Sequence, residues 1–178
     1  MGQGRAGEAS FGREALSHLD ALYRFARRLT GEEADAEDLV QETFTRALGA
    51  AERFEPGTDL RAWMFRILRN LNLDRRRRDR RHPTVAAAPL EELPAGAPSA
   101  GDAEVEALRG VVARDLERAM AALPEEWRAL VLLRLEGLGD REMAEVMGCP
   151  PGTVKSRLAR ARAALRQALR PYARRAAP

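Results

Sequence analysis

"GCPPGTVKSRLARARAALR", residues 148–166, governs how the rest of the chain reads. A glycine and two prolines open it, and the helical stretch behind them carries Lys155, Arg157, Arg160, Arg162 and Arg166 without one acid. Val154, Leu158, Ala161, Leu165 and, just beyond, Leu169 recur at intervals of three and four, so one face must pack inward. Lys155, Ser156, Ala159, Arg160, Arg162 and Arg166 are left outside. A short helical pattern over residues 141–147 precedes the glycine–proline turn, which together predict a helix-turn-helix. The first turn of the long helix offers free amides, the positive end of the dipole and the Thr153 hydroxyl, a place suited to phosphate. In a major groove, Lys or Arg meets guanine acceptors and a small side chain such as Ala159 approaches a thymine methyl. A merely solvated face ordinarily mixes signs; this one does not, and duplex DNA is the expected partner.

Outward from this stretch, charge is abundant but nearly balanced. The 178 residues hold 30 Lys and Arg against 27 Asp and Glu, a formal charge of +3, so distribution matters more than the total. Residues 32–42 contain acids and no bases; residues 155–175 contain bases and no acids. Hydrophobic residues make up 45%, enough for one ordinary domain or two small ones. The single cysteine, Cys149, excludes an internal disulfide and reads as a small apolar group at a turn, while His18 and His82 are too far apart for a zinc pattern. No signal-like or membrane-length apolar run is present, and Gly2 lacks the companions of a lipid anchor. The expectation is a cytoplasmic protein without cofactor, metal, membrane insertion or small-molecule substrate.

Apolar periodicity is helical throughout, which predicts an all-α protein. Leu16, Leu19, Tyr23, Ala26 and Leu29 predict a first helix stopping near Thr30-Gly31. Ala36, Leu39, Val40, Thr43, Phe44, Ala47 and Leu48 predict a second. Pro56-Gly57 breaks the chain, Thr58 or Asp59 caps the next start, and Leu60, Trp63, Met64, Ile67, Leu68 and Leu71 give a third, with Trp63 in the core rather than on nucleic acid. "PTVAAAPLEELPAGAPSAGDA", residues 83–103, has too few large apolar groups to offset the entropy of ordering it and is expected to be a flexible linker. Val105, Leu108, Val112, Leu116, Met120 and Leu123 then predict a fourth helix, and residues 125–135 a fifth with Trp127, Leu130 and Val131 inward. The expected organisation is two small helical domains, 12–82 and 104–170, joined by the linker 83–103, the second a helix-turn-helix.

Two further charge patterns carry chemistry. Asp38, Gln41 and Glu42 lie opposite Val40 and Phe44 on the second helix; such acids also simply suit a helix start, and no histidine is near to make a metal site. The third helix runs into six arginines between Arg75 and Arg81, extending a packed helix into a cationic rod that can lie along phosphates.

Residues 123–165, with "LPEE", "EGL", "MGCP" and "GTVKSRLARAR" in order, resemble region four of bacterial RNA polymerase sigma factors of the extracytoplasmic-function type. "DAEDLVQETFTRAL" and "RAWMFRILRNLNLDRRRRDRR" resemble region two, so the likeness covers residues 12–170. Only a linker stands where larger sigma factors carry a third region, and the resemblance to that group implies no extra N-terminal region before the first. The resemblance implies polymerase docking by Asp35, Asp38, Gln41 and Glu42 on the clamp coiled coil, with the second domain at the flap. It implies reading of the upstream, minus-thirty-five element by Thr153, Lys155, Ser156, Arg157, Ala159, Arg160 and Arg162. Melting and capture of the downstream, minus-ten element would fall to Arg66, Asn70, Asp74, Arg75, Arg77 and Arg78, the Asn70 amide offering donor and acceptor to an extruded base. An anti-sigma protein is a further implied partner. The expected function is a promoter-specificity subunit, not an enzyme, responding to a stress or signal; the competing reading is a free-standing helix-turn-helix regulator that binds duplex DNA without polymerase.

Overall fold

A computed structural model describes residues 3–55, 57–81 and 103–173, with side chains of residues 10–55, 57–81 and 110–172. Among the described residues the elements are helical: α1 (Gln3–Leu16), α2 (Leu19–Thr30), α3 (Glu33–Gly49), a 3-10 turn (Ala51–Arg53), α4 (Leu60–Arg81), α5 (Ala103–Ala121), α6 (Glu125–Leu135), α7 (Asp140–Met147), α8 (Pro151–Ala168) and α9 (Arg170–Ala173). The expected linker lies outside the described residues except for its last position, Ala103, which begins α5.

The first predicted helix is two. The Ser17 hydroxyl donates to the Glu14 carbonyl at 2.7 Å, taking an acceptor a continuing helix would use, and the chain restarts with Leu22 N–H on the His18 carbonyl at 3.0 Å. The inward face shifts accordingly. Leu22, Phe25, Ala26 and Leu29 are buried, while Leu16 and Leu19, expected inside, are exposed. Leu48 and Leu116, also expected inside, lie outside, as does Leu135. The predicted α4 face is confirmed by burial of Leu60, Met64, Leu68 and Leu71, with Trp63 half-buried against Phe11 and Phe54. Asp59 provides the cap, its Oδ1 accepting the Ala62 N–H at 3.1 Å.

Helices α2, α3 and α4 pack on one another with α1 across α3 and α4; α6, α7 and α8 form the second group, with α5 on α8. The two groups, expected as separate domains, are in contact here: α7 lies along α4 and α6 against α2, and the buried apolar residues form one connected cluster from Ala15 to Leu158. The apolar groups of α7, Met143, Ala144, Val146 and Met147, occur at helical spacing too wide for the facing α8 alone.

Candidate nucleic-acid interface

The helix-turn-helix is set by two glycines. After α6, Gly137 (φ 86°) donates to the Arg134 carbonyl and Leu138 to the Leu133 carbonyl, a left-handed helix end that buries Leu138. After α7, Gly148 (φ 63°) repeats the arrangement, with Cys149 N–H on the Ala144 carbonyl at 3.1 Å. A side chain with a Cβ at either position would be strained. The Glu142 carboxylate accepts the Gly139 N–H at the start of α7, and Pro151 occupies the first turn of α8, where its missing N–H is not needed.

Val154, Leu158 and Ala161 are buried, as their spacing predicts, each large group contributing about 2 kcal/mol. That fixes the rotation of α8 and leaves Lys155, Ser156, Ala159, Arg160 and Arg162 exposed on one side, with Thr153 half-buried at the first turn. Ser156 Oγ donates to the Thr153 carbonyl at 3.0 Å. Lys155 stands 3.9 Å from Asp140, and together with Arg134, Arg141, Arg162 and Glu142 they line an open depression of about 960 Å³ between the starts of α7 and α8. Arg157 departs from this set: it is largely covered and pairs with Glu126 of α6 at 2.8 Å, bracing the helix rather than facing outward.

On the first group, Arg66 and Asn70 are exposed on α4, whereas Asn72 is buried. The amide available to a base edge is therefore that of Asn70. The arginine rod beyond is extensively paired. Arg75 bonds Glu42 of α3 at 3.0 Å and reaches the Asp35 carbonyl at 3.5 Å; Arg76 and Arg80 both meet Glu125 of α6, at 2.9 and 3.5 Å; Arg77 lies 3.8 Å from Asp74, whose carbonyl accepts from Arg78. Asp35, Asp38 and Gln41 face solvent on α3, but Glu42, expected beside them, is claimed by Arg75 and Arg46. The Arg75 hydrogen bond, with desolvation opposing it and Arg46 adding to it, holds the Glu42 carboxyl below its ordinary range.

Sequence reasoning missed the ion-pair centre between the two groups. Glu136, just past α6, has a side chain 2% exposed that accepts Arg24 at 2.8 Å on one oxygen and Arg28 at 2.8 Å on the other, while its carbonyl accepts Arg61. One signal existed: an acid at a helix C-terminus opposes the dipole and so calls for cations from elsewhere. Burial and then the nearby Arg61 hold His18 below its ordinary imidazole value, with Asp59 and Glu14 opposing. Among the described residues no cluster of histidine, cysteine and carboxylates could hold a metal, and no helix is long and apolar enough to cross a membrane.

Comparison with known proteins matches residues 15–82 to Sigma-70 region 2 and residues 113–165 to Sigma-70, region 4. The chain is 40% identical to the ECF RNA polymerase sigma factor SigE of Mycolicibacterium smegmatis over 85% of its own length and 58% of that protein's. It is 36% identical to the ECF RNA polymerase sigma factor EcfG of Rhodopseudomonas palustris, covering 85% and 81% of the two chains. It is also similar to the solved structure of the sigma factor RpoE of Bartonella quintana in complex with the anti-sigma factor NepR, with TM-score 0.72 and 33% identity over 90% of this chain and 97% of that one.

Proposed function

The chain belongs to the extracytoplasmic-function sigma factors of bacterial RNA polymerase, and on that premise we propose how its two helical groups share promoter recognition. It is a promoter-specificity subunit: it binds core polymerase, directs initiation to a restricted promoter set in the cytoplasm, and leaves the phosphodiester chemistry to polymerase. The observation that carries the division of labour is the fixed rotation of α8, whose buried Val154, Leu158 and Ala161 turn Lys155, Ser156, Ala159, Arg160 and Arg162 to solvent together. That surface reads the upstream duplex, with Thr153 and the helix start at a phosphate and Arg157 holding the helix in place. Exposed Asn70 and Arg66 take the opened downstream strand, supported by Asp74, Arg75, Arg77 and Arg78. Asp35, Asp38 and Gln41 dock on the polymerase clamp, with Glu42 positioned behind them by Arg75, and the second group reaches the flap. An anti-sigma protein, such as the Bartonella relative has in NepR, is the inhibitory partner.

Each group alone offers a modest contact. Polymerase, by fixing their separation, converts two weak contacts into one strong one. Run-off transcription with core polymerase, followed by sequencing of the transcript starts, tests the reading; a defined set of starts is expected, and polymerase-independent tight duplex binding with no initiation would refute it. Asp38→Arg should abolish association with core polymerase while leaving helicity unchanged.

A further inference from the structure

We propose that the free chain is held shut by its own acids: Glu125 of α6 and Glu136 just past it occupy arginines of α4 and α2 in place of nucleic-acid phosphate, and Glu136 is the latch. Among the described residues Glu136 takes its cations from the other helical group, Arg24 and Arg28 on α2 and Arg61 on α4 at its carbonyl, and none from its own. A carboxylate so nearly sealed from water is tolerable only while those guanidinium groups surround it, so its burial and the closure of the two groups are one event.

The same face continues along α4. Glu125 holds Arg76 and Arg80 of the rod, and Glu145 of α7 lines a crevice of about 360 Å³ with Arg66 and Trp63. A second crevice, about 260 Å³, brings Glu125 and Glu126 against Arg69, Arg76, Arg77 and Arg80. Glu125, Glu126 and Glu145 thus face arginines of α4, Arg66 and Arg77 among them, which the opened strand would need. The closure is also imperfect. The Arg128 Nε is buried without a hydrogen-bond partner, and burial above all holds the Arg128 and Arg69 guanidinium groups below their ordinary value. A contact that joins its shared apolar cluster to ion pairs and leaves a polar atom unsatisfied is less stable than a fully satisfied core and can open. Arg160 and Arg162 of α8 stay exposed, so the closed chain keeps its duplex-reading surface, whereas on α4 Arg76 and Arg80 are occupied by Glu125 even though Arg66 and Asn70 reach solvent.

The assignment of α4 to a single strand rests on the function proposed above; the latch does not. The test uses the full chain with Cys149→Ser and spin labels at Thr45→Cys and Ala163→Cys, both exposed, and reads their distance distribution without polymerase or DNA. The parent should give one narrow distribution. Glu136→Arg, and separately Arg24→Glu with Arg28→Glu, should give longer, broad distributions at unchanged helicity, and combining all three changes should restore the narrow one. Binding of a fluorescein-labelled oligothymidylate should rise about tenfold in the opened variants at low salt. Distances unchanged in both opened variants, or a charge swap that restores nothing, would overturn the latch. Opening without any gain in oligonucleotide binding would keep the latch and refute the assignment of α4 to the strand.

Discussion

The two basic helices, α4 with nine arginines and α8 with four, differ in their electrostatic state. On α8, Arg160, Arg162 and Arg166 have no ion-pair partner among the described residues, and only Arg157 and Lys155 are drawn toward acids. On the rod of α4, Arg75, Arg76 and Arg80 are held by carboxylates of α3 and α6. The difference teaches that a run of arginines announces affinity for anions but not availability, because neighbouring helices can supply the anion first. It also separates the two surfaces: the arginines of α8 are open to an outside anion, whereas Arg75, Arg76 and Arg80 of α4 already have one within the chain.

The hardest blow to this contrast is charge reversal on the open side. Arg160→Glu with Arg162→Glu should weaken promoter-duplex binding by the polymerase complex about a hundredfold, and the corresponding alanine pair should flatten the salt dependence by about two phosphate contacts, measured by fluorescence anisotropy across a salt series. Loss of the same size from Arg76→Ala with Arg80→Ala in a duplex lacking an opened strand would erase the distinction. A smaller, opposite effect is expected on the covered side. Glu125→Ala should raise single-strand binding about threefold, since it frees Arg76 and Arg80, at a stability cost of less than about 1 kcal/mol for such partly exposed pairs.

Changes that sharpen the contrast without touching DNA are smaller again in their functional effect. Asp59→Ala removes the cap of α4 and should lower thermal stability by about 1 kcal/mol, as read by circular dichroism, leaving α8 packing intact. The smallest effect concerns pH. Because Glu42 is held below its ordinary value in the folded chain, its pairing contributes stability that is fully present above the unfolded-state carboxyl value and lost as pH falls through the lower folded value. Arg75→Ala should move the Glu42 carboxyl up toward the ordinary range in an NMR titration and diminish that acid-side loss. His18, also held below its ordinary value, works in the same direction: its share of stability is present above about pH 6.5 and declines as pH drops through the folded value.

Much of this site was legible before any fold. The spacing of Val154, Leu158 and Ala161 predicted which side of α8 would be outside, and the structure buries those three residues. Asn70 was likewise separable from the apolar stripe of α4 and is exposed. Arg157 and Glu42 were not separable from their neighbours, since each is charged and adjacent to true surface positions; their partners, Glu126 and Arg75, are 31 and 33 residues away. The break at Ser17–His18 escaped notice because a hydroxyl competing for a carbonyl leaves the apolar spacing nearly unchanged.

What the sequence determined by itself was local: helices from a repeat of three and four, turns from glycine where a left-handed backbone is needed, an exposed basic side of α8 from the spacing of its apolar residues and the absence of acids. Those properties depend on residues within a turn or two of one another. The tertiary structure alone decided which arginines are spoken for, because Coulombic pairing depends on distance in space, and Glu136 meets Arg24 and Arg28 across more than a hundred residues.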